Sequence, residues 1–375
     1  MTARERIVAA AQAAGADAVR FARAQPLGET RERLSAAFAR GDLATWGYDE
    51  DRATAAADPQ TILAGARSVV CVAVAYATPP PRGRRGRGRV SNYAWSTDYH
   101  RPLRTLLRAV ARTIDEIAGG PASAIACDTA PLAERAFAAS AGLGWIGKHT
   151  NLIAPRLGSF VFLGEVVTSL ALDPDPPLRT TCGSCTRCIT ACPTGALRGD
   201  YTIDATRCIS DLTQRAGSIP RALRPLIGDW VWGCDLCQDV CPPTRRAAGG
   251  RPAFAPLDAD VAAPDLQALL ALRSGEFNRR YKKSAMGWRG AAVLRRNAAI
   301  ALGNGLDRAD VGALGTALRD DPHTAVRAHA AWALGRIGSP KAIALLRTGL
   351  ESEDETLVLA EIRAALKTHA VDAAL

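Results

Sequence analysis

The sequence predicts an α+β protein of several domains: an α/β N-terminal domain, a small cysteine-rich module and a C-terminal stack of helix pairs. Apolar runs rich in β-branched residues alternate with helical patterns through the first 175 residues. Eight of the ten cysteines lie between Thr181 and Pro242. From Arg295 onward, a helical pattern recurs at steps of 32 residues. We therefore predict domains over residues 1–175, 176–250 and 251–375.

Composition places the chain among globular proteins. Its 375 residues are 48% hydrophobic, which is enough for two or three domain cores. The net charge of +10 is consistent with a polyanionic partner. The first residues lack the pattern of a secretion signal, and no run of about 20 apolar residues is present. We expect a cytoplasmic monomer without membrane association.

Helical and strand patterns alternate in the N-terminal domain. Helical patterns cover residues 1–25, residues 30–66 around a loop at 41–58, a segment that begins near Tyr99, and residues 132–141. Strand patterns cover residues 68–77, 123–128 and 160–170. Cys71 and Cys127 lie inside two of these strands, where we expect small core residues and not ligands.

Asp128 ends the second predicted strand and stands close before a helix. The carboxyl end of a strand is where α/β folds place ligand chemistry, but an aspartate beside a helix start is also a common N-cap. Position alone favours the cap.

The glycine-rich segment 142–151 lets backbone approach a bulky group closely. No glycine-rich nucleotide motif occurs, so bound NAD or ATP has no support.

Two segments are strongly basic. Residues 82–112 hold nine arginines and one aspartate, and residues 273–296 hold eight lysines and arginines and one glutamate. Residues 79–89 are rich in proline, glycine and arginine and are predicted to form a mobile surface loop. The arginines of 82–112 are either solvated or a phosphate-contacting patch.

The cysteine spacing indicates iron–sulfur chemistry. The run C-x2-C-x2-C-x3-C-P is the ligand pattern of a bacterial-type two-cluster ferredoxin, because cysteines three apart can wrap three irons of a cubane from one loop. Zinc sites use separated C-x2-C pairs, and disulfides need an oxidising compartment. We therefore predict a ferredoxin-like module with two 4Fe–4S clusters.

Eight cysteines supply two sets of four ligands. In two-cluster ferredoxins the fourth cysteine of the run ligates the other cluster. By that rule the first set is Cys182, Cys185, Cys188 and Cys241, and the second set is Cys192, Cys208, Cys234 and Cys237. Spacing alone permits other pairings.

The C-terminal repeat predicts an α-solenoid of the HEAT type. Residues 295–304, 327–336 and 359–368 align at steps of 32, with helical segments between them. Stacked helix pairs of about this length form HEAT-like arrays. Such a stack is either a binding surface or a stabilising cap.

In the order of its motifs, the chain resembles the epoxyqueuosine reductase family over nearly its whole length. Besides the first cysteine run, the segments that carry the resemblance are Ala66–Val69, Asp98–His100, Asp128–Pro131, Gly142–Lys148, Gly158–Glu165, Cys208–Ser210 and Trp232–Asp235. The resemblance implies that two 4Fe–4S clusters feed electrons to cobalamin, which reduces epoxyqueuosine to queuosine at the anticodon wobble position of tRNA. This is the last step of queuosine biosynthesis, and an external electron donor loads the clusters.

The resemblance also implies roles for single residues. Asp128 becomes the acid that protonates the epoxide oxygen, and an apolar pocket is expected to raise the pKa of its carboxyl group. Gln214 is a candidate tRNA contact, and the two basic segments are candidates for gripping the anticodon stem-loop. The residues matched to the cobalamin site are Arg52, Ser91, Asp128, His149, Thr150, Asn151, Ser210 and Asp235.

Two other functions fit part of the pattern. A reductive dehalogenase shares the cobalamin and two-cluster core, but typically carries an export signal and lacks a HEAT-like tail. A ferredoxin-like electron carrier shows only iron–sulfur absorbance and does not need an α/β domain of about 175 residues. The sequence therefore favours the tRNA-modifying enzyme.

Overall fold

The structure is a computed structural model that describes residues 1–81 and 85–372. Its strands, in chain order, are β1 (Ala18–Arg23), β2 (Ser68–Ala75), β3 (Arg89–Val90), β4 (Ser123–Ala126), β5 (Trp145–Ile146), β6 (Leu152–Ile153), β7 (Val161–Thr168) and β8 (Trp230–Trp232). The three strands predicted from sequence are confirmed as β2, β4 and β7.

The helices follow the predicted alternation, with two differences. They are α1 (Ala3–Ala13), α2 (Gly28–Ala39), α3 (Glu50–Ala57), α4 (His100–Ala118), α5 (Glu134–Ser140), α6 (Arg187–Ala191), α7 (Ile209–Gln214), α8 (Arg224–Ile227), α9 (Leu236–Asp239), α10 (Pro242–Arg245), α11 (Ala259–Ala262), α12 (Leu266–Leu270), α13 (Ser274–Arg280), α14 (Ala291–Gly305), α15 (Val311–Asp320), α16 (Thr324–Ile337), α17 (Pro340–Ser352) and α18 (Thr356–Asp372).

The predicted helix over residues 1–25 is wrong in its second half. Residues 18–23 form β1, in which Val19 and Phe21 are buried on either side of the exposed Arg20. The predicted loop at 41–58 contains α3, whose first turn is capped by the Asp49 carboxylate accepting from the Arg52 backbone N–H. Tertiary packing therefore makes residues 18–23 a strand, and the Asp49 cap starts a helix inside the predicted loop.

The chain forms two compact units, each assembled from three separate segments. The first unit comprises Met1–Pro79, Asp98–Thr206 and Asp235–Ala255. The second unit comprises Pro80–Thr97, Arg207–Cys234 and Pro256–Leu375. The division into domains 1–175, 176–250 and 251–375 stays a prediction.

The first unit is built on a four-stranded sheet in the order β1-β2-β7-β4, and every neighbouring pair in it is antiparallel. All eight residues of β2 are buried, and α4 packs Leu107 against Gly164 of β7. Cys71 and Cys127 are buried in this core, as predicted. Because the sheet is antiparallel, the parallel-sheet rule does not explain the place of Asp128, which instead follows β4 in a tight turn.

The second unit contains the helical repeats. Helix α14 packs on α16, α16 packs on α18, and α15 packs on α17, which confirms the predicted solenoid. In the same unit, β3 pairs in parallel with β8. Across the described residues, we find no helix with both the length and the apolar character that crossing a membrane requires.

Candidate functional site

The first cysteine set lies in the first unit, with Cys182 and Cys185 in the loop before α6. Cys188 sits in α6, and Cys241 precedes Pro242 at the start of α10. Both are buried, and burial raises the pKa of each thiol. Cys182 and Cys241 raise the pKa of Cys188 further, and Cys182 and Cys185 do the same for Cys241. As thiolates these side chains would repel one another, and a bound cationic cluster would relieve that repulsion.

The other four cysteines are divided between the units. Cys192 and Cys237 belong to the first unit, and Cys208 and Cys234 belong to the second. None of the ten cysteines, all of which lie in the described part of the chain, is joined to another in a disulfide. The grouping of this second set stays a prediction from its spacing.

Asp128 is held by a hydrogen-bonded chain of three side chains in the first unit. His100, at the start of α4, contacts Asp98 through Nδ1 at 2.6 Å and Asp128 through Nε2 at 3.0 Å. The Asp128 and Asp98 carboxylates raise the pKa of His100 to about 9, and His100 in turn lowers the pKa of Asp98. At neutral pH the imidazole is therefore protonated and donates to both carboxylates.

The turn that presents Asp128 is unusual for a non-glycine residue. Asp128 has a φ of 52°, in the left-handed region, and its side chain is 50% exposed. Its backbone N–H donates to the carboxylate of Glu134 at the start of α5. In the chain alone, the carboxyl is thus solvent-accessible and beside a cation, and the apolar pocket expected under a bound corrin ring stays a prediction.

Two further carboxyl groups, those of Glu134 and Glu165, lie in the first unit near the Asp128 turn. Burial raises the pKa of Glu134 to about 7, and burial together with Glu134 raises the pKa of Glu165 well above its usual value. Glu165 is fully buried in β7, opposite Ala126, and neither of its oxygens has a hydrogen-bond partner among the described residues. A buried carboxyl without partners is stable only when it is protonated.

The glycine-rich segment 142–151 contains β5 and the turn that joins it to β6 in a hairpin. His149 is buried, and burial lowers its pKa to about 4, so its ring is neutral. Its Nδ1 accepts from the Asn151 backbone N–H, whereas its Nε2 and the buried Nε1 of Trp145 have no partner in the described chain. Thr150 has a φ of 64°. Two orphaned ring nitrogens in one hairpin fit a site that is completed by a bound polar group.

Other residues predicted for the cobalamin site lie elsewhere in the first unit. Arg52 donates to the carbonyl of Ala130, two residues beyond Asp128, at 3.5 Å. Asp235 is buried and accepts from the Gln238 side chain at 3.3 Å. The structure therefore brings Arg52 to the Asp128 turn.

Ser91, Ser210 and Gln214 all lie in the second unit. The Gln214 amide donates to the backbone carbonyl and to the hydroxyl of Ser210, at 3.0 and 3.1 Å. Ser91 is buried against Gly233, where a Cβ would stand only 2.5 Å from the Ser91 Cβ and where φ is +65°. Only glycine fits there, which accounts for the glycine between Trp232 and Cys234.

The basic segments are partly neutralised within the second unit. Arg87 pairs with Asp260, Arg89 pairs with Asp229, and Arg85 pairs with Asp307. The predicted loop 79–89 is thus tied down over 85–89, while residues 82–84 lie outside the described residues. Phosphate contact by all arginines of this segment is therefore not supported.

Arg295 and Arg296 in the other basic segment are both buried. The first pairs with Asp321, and the second donates to backbone carbonyls around α7. The exposed cations of that segment are Arg273, Arg279, Lys282 and Lys283.

Comparison with known families gives three matches along the chain. Residues 57–129 match the family described as epoxyqueuosine reductase QueG, DUF1730. Residues 181–244 match the 4Fe-4S double cluster binding domain. Residues 290–367 match HEAT repeats. These matches confirm the resemblance, the two-cluster module and the repeat tail expected from sequence.

Comparisons over the whole chain agree with these family matches. The epoxyqueuosine reductase of Bacillus subtilis (strain 168) is 34% identical over 365 residues, which cover 96% of this chain and 94% of that protein. The epoxyqueuosine reductase of Gloeobacter violaceus is 41% identical over 305 residues, which cover 78% of this chain and 93% of that protein.

Two solved structures are also similar. A crystal structure of epoxyqueuosine reductase with a tRNA-Tyr epoxyqueuosine-modified stem loop matches with a TM-score of 0.90 and 33% identity, over 97% of this chain and 98% of that one. The structure of epoxyqueuosine reductase from Streptococcus thermophilus matches with a TM-score of 0.90 and 30% identity, over 99% of this chain and 100% of that one.

Three features of the site were missed from sequence. The segment Asp98–His100 was noted, but its link to Asp128 depends on how α4 packs beside β4. Glu134 and Glu165 were not singled out as functional. Glu165 left a signal that was overlooked, because an acidic residue inside the apolar strand pattern 160–170 has to be buried or the strand has to be exposed.

Proposed function

Because the chain belongs to the epoxyqueuosine reductase family, we propose that it reduces epoxyqueuosine to queuosine at the wobble position of the tRNA anticodon. The observation that carries the proposal is the accessible Asp128 carboxyl group, hydrogen-bonded at 3.0 Å to a histidine that is protonated at neutral pH. Loss of the epoxide oxygen as water requires two electrons and two protons. The chain must therefore supply a proton donor and a path for electrons.

His100 and Asp128 act together as the donor of the first proton, and solvent supplies the second, because the Asp128 side chain is half exposed. The proton rests on the imidazole, between two carboxylates, and Asp128 carries it to the epoxide oxygen. His100 stays within hydrogen-bond reach of Asp98, which holds the ring in one orientation after the proton has left. The left-handed turn at Asp128 and the Glu134 carboxylate aim the acid.

Two 4Fe–4S clusters supply the electrons. We assign Cys182, Cys185, Cys188 and Cys241 to one cluster, because the fourth cysteine of such a run ligates the other cluster in two-cluster ferredoxins. The spacing assigns Cys192, Cys208, Cys234 and Cys237 to the other. An external donor reduces the clusters. A cytoplasmic location suits both the thiolate ligands and the tRNA substrate.

Cobalamin is the remaining cofactor, and when bound it supplies the low-potential electrons that reach the epoxide carbon. His149 and Trp145 fit such a group because their ring nitrogens are buried without partners in the described chain. Thr150 and Asn151 shape the same hairpin, and Arg52 lies beside the Asp128 turn. We further assign to the cofactor the family-matched residues Ser91, Ser210 and Asp235.

The substrate is the anticodon stem-loop, whose target base is splayed out of the loop to be reached. Gln214 is the proposed RNA contact, held in place by its two hydrogen bonds to Ser210. We propose that the protein acts as a monomer.

The test is anaerobic reconstitution with iron, sulfide and cobalamin, then incubation with epoxyqueuosine-containing tRNA and nucleoside mass spectrometry. Asp128→Asn is expected to slow conversion by about 10²- to 10⁴-fold, the usual contribution of a general acid. Asp320→Asn, an exposed carboxylate in the repeats, is the control and should convert at the parent rate. A parent that binds cobalamin and both clusters but forms no queuosine would exclude this substrate.

A further inference from the structure

Trp288 stands on the surface of the second unit, between α13 and α14. Its side chain is 52% exposed, although indole is among the side chains that gain most from burial. An exposed aromatic ring is informative when its surroundings hold it in place, because the chain then maintains an apolar surface in water.

The Trp288 ring is braced by its neighbours. The Arg289 guanidinium lies over it, 3.9 Å from the ring centroid. The ring also meets the buried Trp232 nearly at right angles, with centroids 6.4 Å apart. Trp232 is fixed in turn, because its Nε1 donates to the Tyr93 hydroxyl at 2.9 Å. The indole is therefore oriented before any partner arrives.

The turn that carries Trp288 is also fixed. Tyr281 and Met286 are buried, and the Lys282 ammonium donates to the Gly287 carbonyl at 3.2 Å. A Cβ at Gly287 would stand 2.3 Å from the Lys282 carbonyl oxygen, so the close approach of the two backbones requires glycine. The exposure of Trp288 is thus built into the turn.

The charge of this segment selects an anionic partner. Residues 277–290 contain no acidic residue, and Arg279, Lys282 and Lys283 are exposed. Single-stranded RNA combines the two matching features, since its phosphates pair with cations and its bases stack on aromatic or guanidinium planes. A planar ring already backed by a guanidinium suits a flat base better than the irregular surface of a protein.

We propose that Trp288 is a stacking platform for a base of the tRNA anticodon loop, with Arg279, Lys282 and Lys283 contacting the adjacent phosphates. The proposal rests on the proposed function, because it takes the tRNA substrate as given. It adds an RNA contact that does not depend on the reacting nucleoside.

The test uses the full-length, cluster-loaded protein and a fluorescein-labelled anticodon stem-loop RNA, with binding followed by anisotropy. Trp288→Ala and Trp288→Leu are expected to weaken binding by about 10- to 100-fold, and Trp288→Phe to retain most of the affinity. Leucine keeps apolar bulk without a π face, so it separates stacking from simple packing. Because no charge is removed, the dependence of the binding constant on salt should not change.

An abasic scan identifies the base. Removing the stacked base should weaken binding to the parent by a similar factor and should not weaken binding to Trp288→Ala any further. Parent-like affinity of both Trp288→Ala and Trp288→Leu overturns the proposal. The proposal is also overturned if the Trp288 variants keep their RNA affinity but their clusters are reduced more slowly by a protein electron donor. That result would make the surface a protein-docking site. Failure of the parent itself to bind the stem-loop overturns the proposed function as well.

Discussion

At Asp128 the chain places an acid in a position that its own backbone disfavours. A φ of 52° is uncommon for any residue with a side chain, and it persists here because Glu134 accepts the Asp128 N–H and His100 holds the carboxyl. In the proposed mechanism, the proton comes from a histidine between two carboxylates, and not from a carboxyl in an apolar pocket. Both arrangements keep an acid available at neutral pH, but only the first makes stability depend on His100.

His100→Gln should remove a pH-dependent part of the stability. The pKa of His100 is raised from 6.5 to about 9 in the folded protein, so the stabilisation it provides is complete below about pH 6.5 and is lost as the pH rises through 9. The parent should therefore exceed His100→Gln in melting temperature by more at pH 6.5 than at pH 9.5. Thermal unfolding of both proteins at the two pH values measures this, and an equal gap at both would show that folding does not raise the pKa of His100.

Some residues of this site could be predicted from the sequence and others could not. The cysteines were predictable because cluster ligation depends on local spacing, and the spacing is printed in the chain. The catalytic role of Asp128 is predicted only through its family motif, since position alone favours a helix N-cap. Glu134 and Glu165 owe their perturbed pKa values to burial between strands and helices distant in sequence. No local pattern records this for Glu134, whereas Glu165 stands out as an acidic residue inside an apolar strand pattern.

Among the elements, α14 does more than begin the repeats. One face carries Arg296, Asn297 and Asn304, whose side chains donate to backbone carbonyls at the ends of α7, β8 and α8. Arg296 is buried, and burial followed by nearby arginines lowers its pKa to about 9. The repeat pattern predicted the helix correctly, but its basic residues were interpreted as phosphate contacts. In the structure the Arg296 side chain instead secures α7, which carries Ser210 and Gln214.

Asn297→Ala should destabilise the protein through α7 and β8. The Asn297 amide donates to the carbonyls of Thr213 and Val231 at 2.7 and 2.8 Å, and it is buried. The substitution leaves the Val231 carbonyl without this donor and the Thr213 carbonyl with only Arg296 Nη2, at 3.5 Å. Each buried acceptor that loses its donor costs about 1–3 kcal/mol in the free energy of unfolding. Asn278→Ala, on the exposed face of α13, should change it by less than about 0.5 kcal/mol. Urea titrations of the three proteins compare the values, and similar stability of the two variants would contradict this role for Asn297.

At the scale of the whole molecule, the net charge of +10 overstates the cations available to RNA. Many arginines are committed to internal pairs. Arg295 and Arg327, one repeat of 32 residues apart, pair with Asp321 and Glu353, which are also 32 apart. These two ion pairs follow from the repeat. Aligning the acidic residues of successive repeats with the arginines would therefore predict both pairs from sequence alone. The number of phosphate contacts therefore cannot be taken from composition and has to be counted on the surface.

The salt dependence of RNA binding gives that count. Arg279, Lys282 and Lys283 are exposed, whereas the neighbouring Arg280 pairs with Glu276 and Asp260 and is only 27% exposed. Each phosphate contact contributes about 0.7–0.9 to the slope of log K against log salt. Replacing the three exposed cations with glutamine should therefore reduce the slope by about 2–3, and Arg280→Gln should leave it almost unchanged. Anisotropy titrations of the stem-loop measure both slopes between about 50 and 200 mM salt. Over this range, phosphate contacts lose much of their affinity. An equal reduction per charge removed in the two proteins would mean that long-range charge, and not contact with phosphates, attracts the RNA.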